Sequence, residues 1–457
     1  MKVRSKLIFS ILLSLICLVG CSAIPQPSME ELLAEVNAEH ESIQRLEGDY
    51  SQYLRKPTQS VQFDKNEVFS VTNEAFDPQK VLTFEQAKED IEYCFAVFHD
   101  TYGLYDYFGG DEVFAKAKQA VIQECESTQT LTCEVLEQSL LKNLSFVKDG
   151  HFSINQKYAA TRIYPFFYRE IAFMKTEKGY QTIDGKKVKS IEGYDSLDEL
   201  MKRSISPEGK LVYYPVLLKE IEGVSTLDNN VYQCEEKLVV HYQDGETQTL
   251  TAEPFQMYWE QFPENVLTED VDGIPVLRMN FFDQRGREER EAFLKEHRED
   301  PATILDLRSN GGGFWKDAQD TIISYTGKNV ASNAIEVDTW TGTYMKQKDD
   351  FLENDNLLII LTGKQTASAA EQFLDALYNV ENVLIIGENT NGCIFSNGAQ
   401  HQLPNSKAQV ILGSRFIRVF PTKDYFEELR GFYPDVWVPA GEAEELVLRW
   451  VKHYNLK

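Results

Sequence analysis

Apolar positions fall into three regimes along the chain. Behind a Thr83–Gln86 capping-box pattern, Phe84, Ala87, Ile91, Cys94, Phe95 and Phe98 recur at helical spacing, and Leu136, Leu140 and Leu144 line one face further on. This predicts a small helical unit with helices starting near 83 and covering 112–125 and 132–147. From about 156 to 255 the runs shorten to strand length. Asp244-Gly245 separates Leu238-Val239-Val240 from 247–250 as a hairpin turn would, and 188–193 reads as a strand and turn. Ser196 and Glu199 predict a capped helix through Leu197, Leu200 and Met201. From about 270 four continuous apolar runs, 276–279, 304–307, 357–361 and 383–386, alternate with helical stretches. Strands of that kind are buried on both faces, so this part of the chain is α/β.

The amino terminus follows other rules. Lys2, Arg4 and Lys6 precede an apolar run over 7–20, too short to span a bilayer comfortably and patterned as a secretory signal. It ends in Leu18-Val19-Gly20-Cys21, which resembles the lipobox of bacterial lipoproteins and implies that Cys21 becomes the lipidated first residue. A diacyl anchor would hold the protein on the outer face of a membrane. A polar stretch to about residue 80, with Pro25, Pro27 and an acidic run over 30–41, reads as a stalk or partial helix.

Length and composition narrow the classes. At about 150 residues per domain, 457 residues suggest three structural units. A net charge of −26 repels phosphate backbones, which argues against a nucleic-acid partner. Beyond Cys21 the cysteines are Cys94, Cys125, Cys133, Cys234 and Cys393, an odd number that defines no disulfide scaffold, although Cys125 with Cys133 is a possible pair. Neither zinc-site spacing nor a Walker-type phosphate loop is present.

Candidate chemistry lies in three loops just beyond buried strands, where α/β folds place their sites. The first is Asp306-Leu307-Arg308-Ser309-Asn310-Gly311-Gly312-Gly313, whose glycine triplet can present bare N–H groups to an anion. The second is Thr366-Ala367-Ser368-Ala369-Ala370-Glu371, opening a helix. Ser368 and Glu371 also satisfy a capping box, so an inert N-cap serine gives the same spacing. The third is Gly387-Glu388-Asn389-Thr390-Asn391-Gly392.

In this order the loops resemble the DLRxNxGG, TxSAxE and GExTxG patterns of the tail-specific, or C-terminal-processing, serine peptidases, whose core has a crotonase-like fold. The resemblance extends to 428–435, similar to the family's closing ExxGxxPD, and to Asp149-Gly150-His151 at the end of the helical unit. The resemblance covers the chain from about 81 to the C-terminus; with the readings above it gives a signal peptide over 1–20, an extension over 21–80, a helical unit over 81–155, a PDZ-like β-rich insert over 156–255 and an α/β peptidase core over 256–457. No carboxylate-binding Gly-Leu-Gly-Phe loop is visible in the insert.

Carried over residue by residue, the resemblance makes Ser368 the nucleophile, with backbone N–H groups of Ala369 and of the Gly312 region as oxyanion hole. Many family members use a Ser-Lys dyad, but the dyad position here is Cys393, which cannot serve as a neutral amine base. The tricorn-like branch instead uses a His and a Glu, corresponding to His151 and Glu428, with Glu427 one register away. That branch carries a Ser before its His, where this chain has Gly150. The implied protein is a lipid-anchored extracytoplasmic serine endopeptidase acting on peptide or protein substrates, with no metal or organic cofactor. The competing reading is a catalytically inactive member that binds peptides or ligands at the surface, and what separates the two is whether His151 reaches Ser368.

Overall fold

A computed structural model describes residues 27–43, 50–56, 74–221, 230–345 and 351–454. Cys21 and the signal-like segment lie outside these residues. Among the described residues no helix is long and apolar enough to cross a membrane.

The four apolar runs become the strands Ile274–Met279, Ala302–Asp306, Leu357–Thr362 and Val383–Gly387, adjacent in that order and mutually parallel. Val266–Val271 adds an antiparallel edge and Val436–Trp437 a parallel one. Every residue of the four central strands is buried. Alternation explains why. Leu277, Leu305, Leu358, Ile360 and Ile385 point to one face, packed with residues of the helices Arg287–Glu296, Trp315–Thr326 and Ala369–Leu377. Val276, Ile304, Ile359, Leu361 and Leu384 point to the other, packed with residues of Met29–Glu41 and Ala443–His453. Period-two patterning disappears from the sequence because both sides are covered.

The helix Met29–Glu41 answers the reading of the acidic run. It is capped reciprocally by Ser28 and Glu31 and buries Leu32, Val36 and His40. Rather than standing off as a stalk it is docked on the core: Asn37 pairs with Asn382, and Arg203 bridges to Glu35 and Glu39.

The expected helices run over Phe84–Thr101, Gly110–Ser127 and Cys133–Asn143, the first with the Thr83–Gln86 box closed at 3.2 and 3.0 Å. Their apolar faces share one core with Ile335, Val337, Val410, Leu412 and Ile417. The helical unit therefore packs on the sheet that contains Ile335–Asp338 and the long strand Gln409–Val419. Its carboxyl end is thereby brought against the carboxyl-terminal part of the chain.

The insert forms a five-stranded sheet built around Arg162–Phe167 and Leu211–Ile221, and a three-stranded one in which Lys237–Tyr242 pairs antiparallel with Thr247–Thr251 across Gly245, at φ 91°. The helix expected through Met201 is a single turn, Leu197–Leu200, and Ser196 makes no side-chain cap bond. Met201 instead opens a strand paired with Pro215 on the long neighbouring strand. Ladder formation and burial override a local helical pattern too short to sustain itself. All five described cysteines are free, so Cys125 and Cys133 form no bridge.

Candidate active site

The chain leaves the Leu357–Thr362 strand, turns through residues 363–367 and enters the helix Ala369–Leu377 at Ser368. Ser368 has φ 54° and ψ −118°, a region that non-glycine residues avoid. The turn is over-determined. Thr366 Oγ1 donates to the Leu307 carbonyl at 2.7 Å, and the Ala367 N–H to the Asn310 carbonyl at 3.0 Å. Gly312, at φ 104°, passes so close that a Cβ there would stand 2.6 Å from Ser368 Cβ and 3.0 Å from the Ala369 nitrogen. Only glycine fits, and the glycine-rich loop is thereby pressed against the amino end of the Ser368 helix, where the macrodipole favours negative charge. The Gly312 N–H itself donates to Asn310 Oδ1 at 3.0 Å.

Glu371, one turn into the helix, is fully buried and is the hub of this side. Its Oε1 accepts from Thr390 Oγ1 at 2.5 Å and the Gly392 N–H at 2.7 Å, and its Oε2 from the Cys393 N–H at 2.8 Å and the Ser368 N–H at 3.2 Å. One carboxylate thus ties the Ser368 backbone to the third loop. Burial pushes its pKa up, while these donors pull it down. Behind it, buried Lys364 donates through Nζ to the Thr390 carbonyl at 2.5 Å; burial lowers the amine to about 7.

His151 comes from the turn that follows the helix Cys133–Asn143. Its Nε2 lies 3.3 Å from Ser368 Oγ across 217 positions of sequence. Asp149 Oδ1 accepts the His151 backbone N–H at 2.9 Å, and its Oδ2 takes the Tyr102 hydroxyl and Ser396 Oγ, each at 2.9 Å. Ring Nδ1 is enclosed and meets no partner among the described residues. Burial lowers the imidazole to about 4; Asp149 opposes this, and Arg162 and Arg418 add to it. The ring is therefore neutral at ordinary pH and has a lone pair to offer.

Glu428 departs from the sequence expectation. Its Oε1 accepts from the Gly150 N–H at 2.8 Å, and its Oε2 from the N–H groups of Phe395 at 2.9 Å and Ile394 at 3.3 Å. The carboxyl holds the backbone beside the ring and makes no hydrogen bond to it. Burial, and then the neighbouring Asp149, push its pKa well up. Glu427 faces Arg430 at 3.1 Å and Lys423 at 3.5 Å. A side chain at Gly150 is excluded, because a Cβ would stand 2.4 Å from the Gly392 carbonyl oxygen and 2.9 Å from Glu428 Oε1. Here the Gly150 N–H occupies the place between Glu428 and the histidine segment.

Arg162, which no sequence pattern singles out, joins the two sides. Its guanidinium donates to the Gly150 carbonyl at 2.7 Å and the Asn391 carbonyl at 3.3 Å, stacked over the Tyr158 ring at 3.9 Å. Its charge also reaches Cys393, yet burial dominates and pushes that thiol well up. Among the described residues no cluster of three His, Cys, Asp or Glu is disposed to hold a metal.

An α/β sheet with a serine on a strained turn at its carboxyl edge and a neutral imidazole within reach is the arrangement of serine hydrolases. Residues 273–437 match the model of Peptidase family S41, so over this segment the chain is similar to the serine-type peptidases of that family. No curated protein matches the chain. Among solved structures it is similar to mature CPAF complexed with lactacystin, at 12% identity and TM-score 0.40, over 81% of this chain and 97% of that one. It is similar to the photosystem II D1 C-terminal processing protease at 13% identity and TM-score 0.38, over 79% and 94%. A lipoprotein from Streptococcus agalactiae is similar at 11% identity and TM-score 0.39, over 82% and 99%. Likenesses at these scores say nothing of the chemistry of Ser368 and His151, which rests on the geometry of the site itself.

Proposed function

We propose that the protein is a lipid-anchored, extracytoplasmic endopeptidase of the tail-specific type, with a crotonase-like core and a PDZ-like insert, in which Ser368 and His151 perform the chemistry. The observation that carries this reading is the 3.3 Å approach of His151 Nε2 to the Oγ of a serine at φ 54°. Ser368 Oγ attacks the peptide carbonyl as its proton passes to Nε2. The same proton then leaves with the departing amine, and water releases the acyl-enzyme by the reverse sequence. The Ala369 N–H forms the oxyanion hole at the helix terminus, joined by the Gly312 N–H once it leaves Asn310 Oδ1 for the oxyanion.

The carboxylate that supports the imidazolium in this scheme is Asp149, the group that most strongly favours ring protonation. Glu428 is a positioning residue acting through the Gly150 N–H. Anchoring rests on the lipobox-like sequence ending in Cys21, and loss of the protein from the membrane fraction in Cys21→Ala checks it.

The test is labelling of the full-length protein with a serine-reactive fluorophosphonate, together with peptide hydrolysis. Label is expected on Ser368, and Ser368→Ala and His151→Ala, folded by circular dichroism, should each lower kcat/KM by about 10⁴-fold. A folded parent that neither labels nor cleaves would favour a peptide-binding protein instead.

A further inference from the structure

A cavity of about 380 Å³ lies between the insert and the core, and its lining includes neither Ser368 nor His151. Three carboxylates face it, Glu253, Glu388 and Glu442, and among the described residues no basic side chain does; Phe255, Tyr258 and Trp259 form much of the apolar wall. The carboxylates are not equivalent. Glu253 and Glu442 are both answered by Arg169, at 2.7 and 2.6 Å. Glu388, only 3% exposed, accepts from the Ala440 N–H at 2.9 Å through Oε1, while its Oε2 has no hydrogen-bond partner among the described residues.

The nearby cations have other partners. Arg308 is committed to Asp306, the Ala440 carbonyl and Glu444, and Lys364 to the Thr390 carbonyl. Burial raises Glu388 to about 7, against the pull of the Ala440 N–H, of the Lys364 and Arg308 charges and, last, of the Lys364 backbone N–H. An unpaired buried oxygen is costly, and a donor that brings positive charge relieves it most. The Phe255 and Trp259 faces attract the same kind of group, while the Tyr258 ring is already stacked by Arg308 at 4.2 Å. One free oxygen suits a compact ammonium, whereas a guanidinium fork seeks two.

We infer that this cavity binds a primary ammonium group on an apolar stem, the ammonium donating to Glu388 Oε2 and the stem lying against Phe255, Tyr258 and Trp259. The inference is independent of the reaction proposed for Ser368, and so is its test, which measures binding alone.

Isothermal titration of the full-length protein with n-hexylammonium, hexanol and hexanoate tests it. Saturable binding of n-hexylammonium at about millimolar concentration is expected, with hexanoate excluded by the carboxylates. Glu388→Gln should weaken n-hexylammonium by about tenfold or more, and Trp259→Ala, at the cavity mouth, by a smaller factor. Two further titrants identify the natural source. Displacement by an N-acetylated peptide with an internal lysine marks a substrate side chain, and displacement by free alkyl amines alone marks a small metabolite. Absence of saturable n-hexylammonium binding, equal binding of hexanoate, or unchanged affinity in folded Glu388→Gln would overturn the inference. Should Glu388→Gln not fold, Trp259→Ala and the hexanoate comparison decide it.

Discussion

On the Ser368 side of the site a single buried carboxylate, Glu371, collects hydrogen bonds from the serine's own N–H, from Thr390 and from two N–H groups of the third loop, and Gly312 closes in from above. On the His151 side the ring makes no bond through Nδ1 to any described residue, and the carboxyl expected to hold it, Glu428, is occupied by three backbone amides. The nucleophile is fixed by a hydrogen-bond network, whereas the base is held by packing and by the backbone on either side of it. Strain explains the asymmetry. A serine at φ 54° relaxes unless its surroundings over-determine it, while an imidazole in an ordinary conformation needs only a shaped slot. The proposed base is then free to change partners as it takes up and releases a proton.

The largest effect expected from breaking this contrast comes from Glu371→Gln. The amide would direct its NH₂ toward N–H groups that need an acceptor, leaving buried donors unsatisfied at a cost of about 2–4 kcal/mol. At temperatures where the variant is still folded, kcat should fall by about 10²-fold with KM little changed, because the serine loses its attack geometry. Thermal melts and steady-state kinetics read the two effects separately. A lowered melting temperature with kcat intact would make Glu371 a packing residue only.

The motif loops can be read from sequence because their constraints are local. Glycine at 312 sits in a positive-φ turn of its own loop and serine at 368 and glutamate at 371 open a helix, so each leaves a local signal even though their partners are distant, and the parallel strands announce themselves as unbroken apolar runs. What joins the two halves is not legible there. Arg162 reaches the Asn391 carbonyl across 229 positions, Ser396 reaches Asp149 across 247, and Glu428 reaches Gly150 across 278. Long-range partners of that kind leave no spacing to detect, so resemblance assigns Glu428 to a ring that it does not touch. Docking of the helix Met29–Glu41 is hidden for a similar reason: its fully buried apolar positions, Leu32 and Val36, stand among acidic neighbours, and most of the core they join lies some 240 or more residues away.

The pH profile sharpens the His151 half. Free imidazole titrates near 6.5, but burial reinforced by Arg162 and Arg418 takes His151 down to about 4. The proposed base works in its neutral form, which the shift favours, so kcat/KM should hold through mildly acidic pH and decline only as pH falls past about 4. Initial rates against a peptide substrate between neutral and strongly acidic pH measure this. An acid limb near 6.5 would show that the ring is solvated in the working enzyme and that its slot is open.

The smallest effect is expected at Cys393, which belongs to the Ser368 side through its backbone and to neither side through its sulfur. Its N–H donates to Glu371 Oε2 at 2.8 Å, a bond that Cys393→Ala keeps. The thiol is buried, and although Arg162 lowers its pKa, burial raises it further, so little thiolate forms to act as nucleophile. Truncation removes one packed atom at a cost of about 1 kcal/mol. Cys393→Ala should therefore keep kcat/KM within about threefold of the parent and label with the phosphonate at a similar rate. Cys393→Lys should not create a working dyad, because the new amine would enter beside the Arg162 charge and compete with the imidazole for Ser368. A folded Cys393→Ala protein as inactive as Ser368→Ala would move the chemistry from the serine to the thiol and overturn the assignment of both sides.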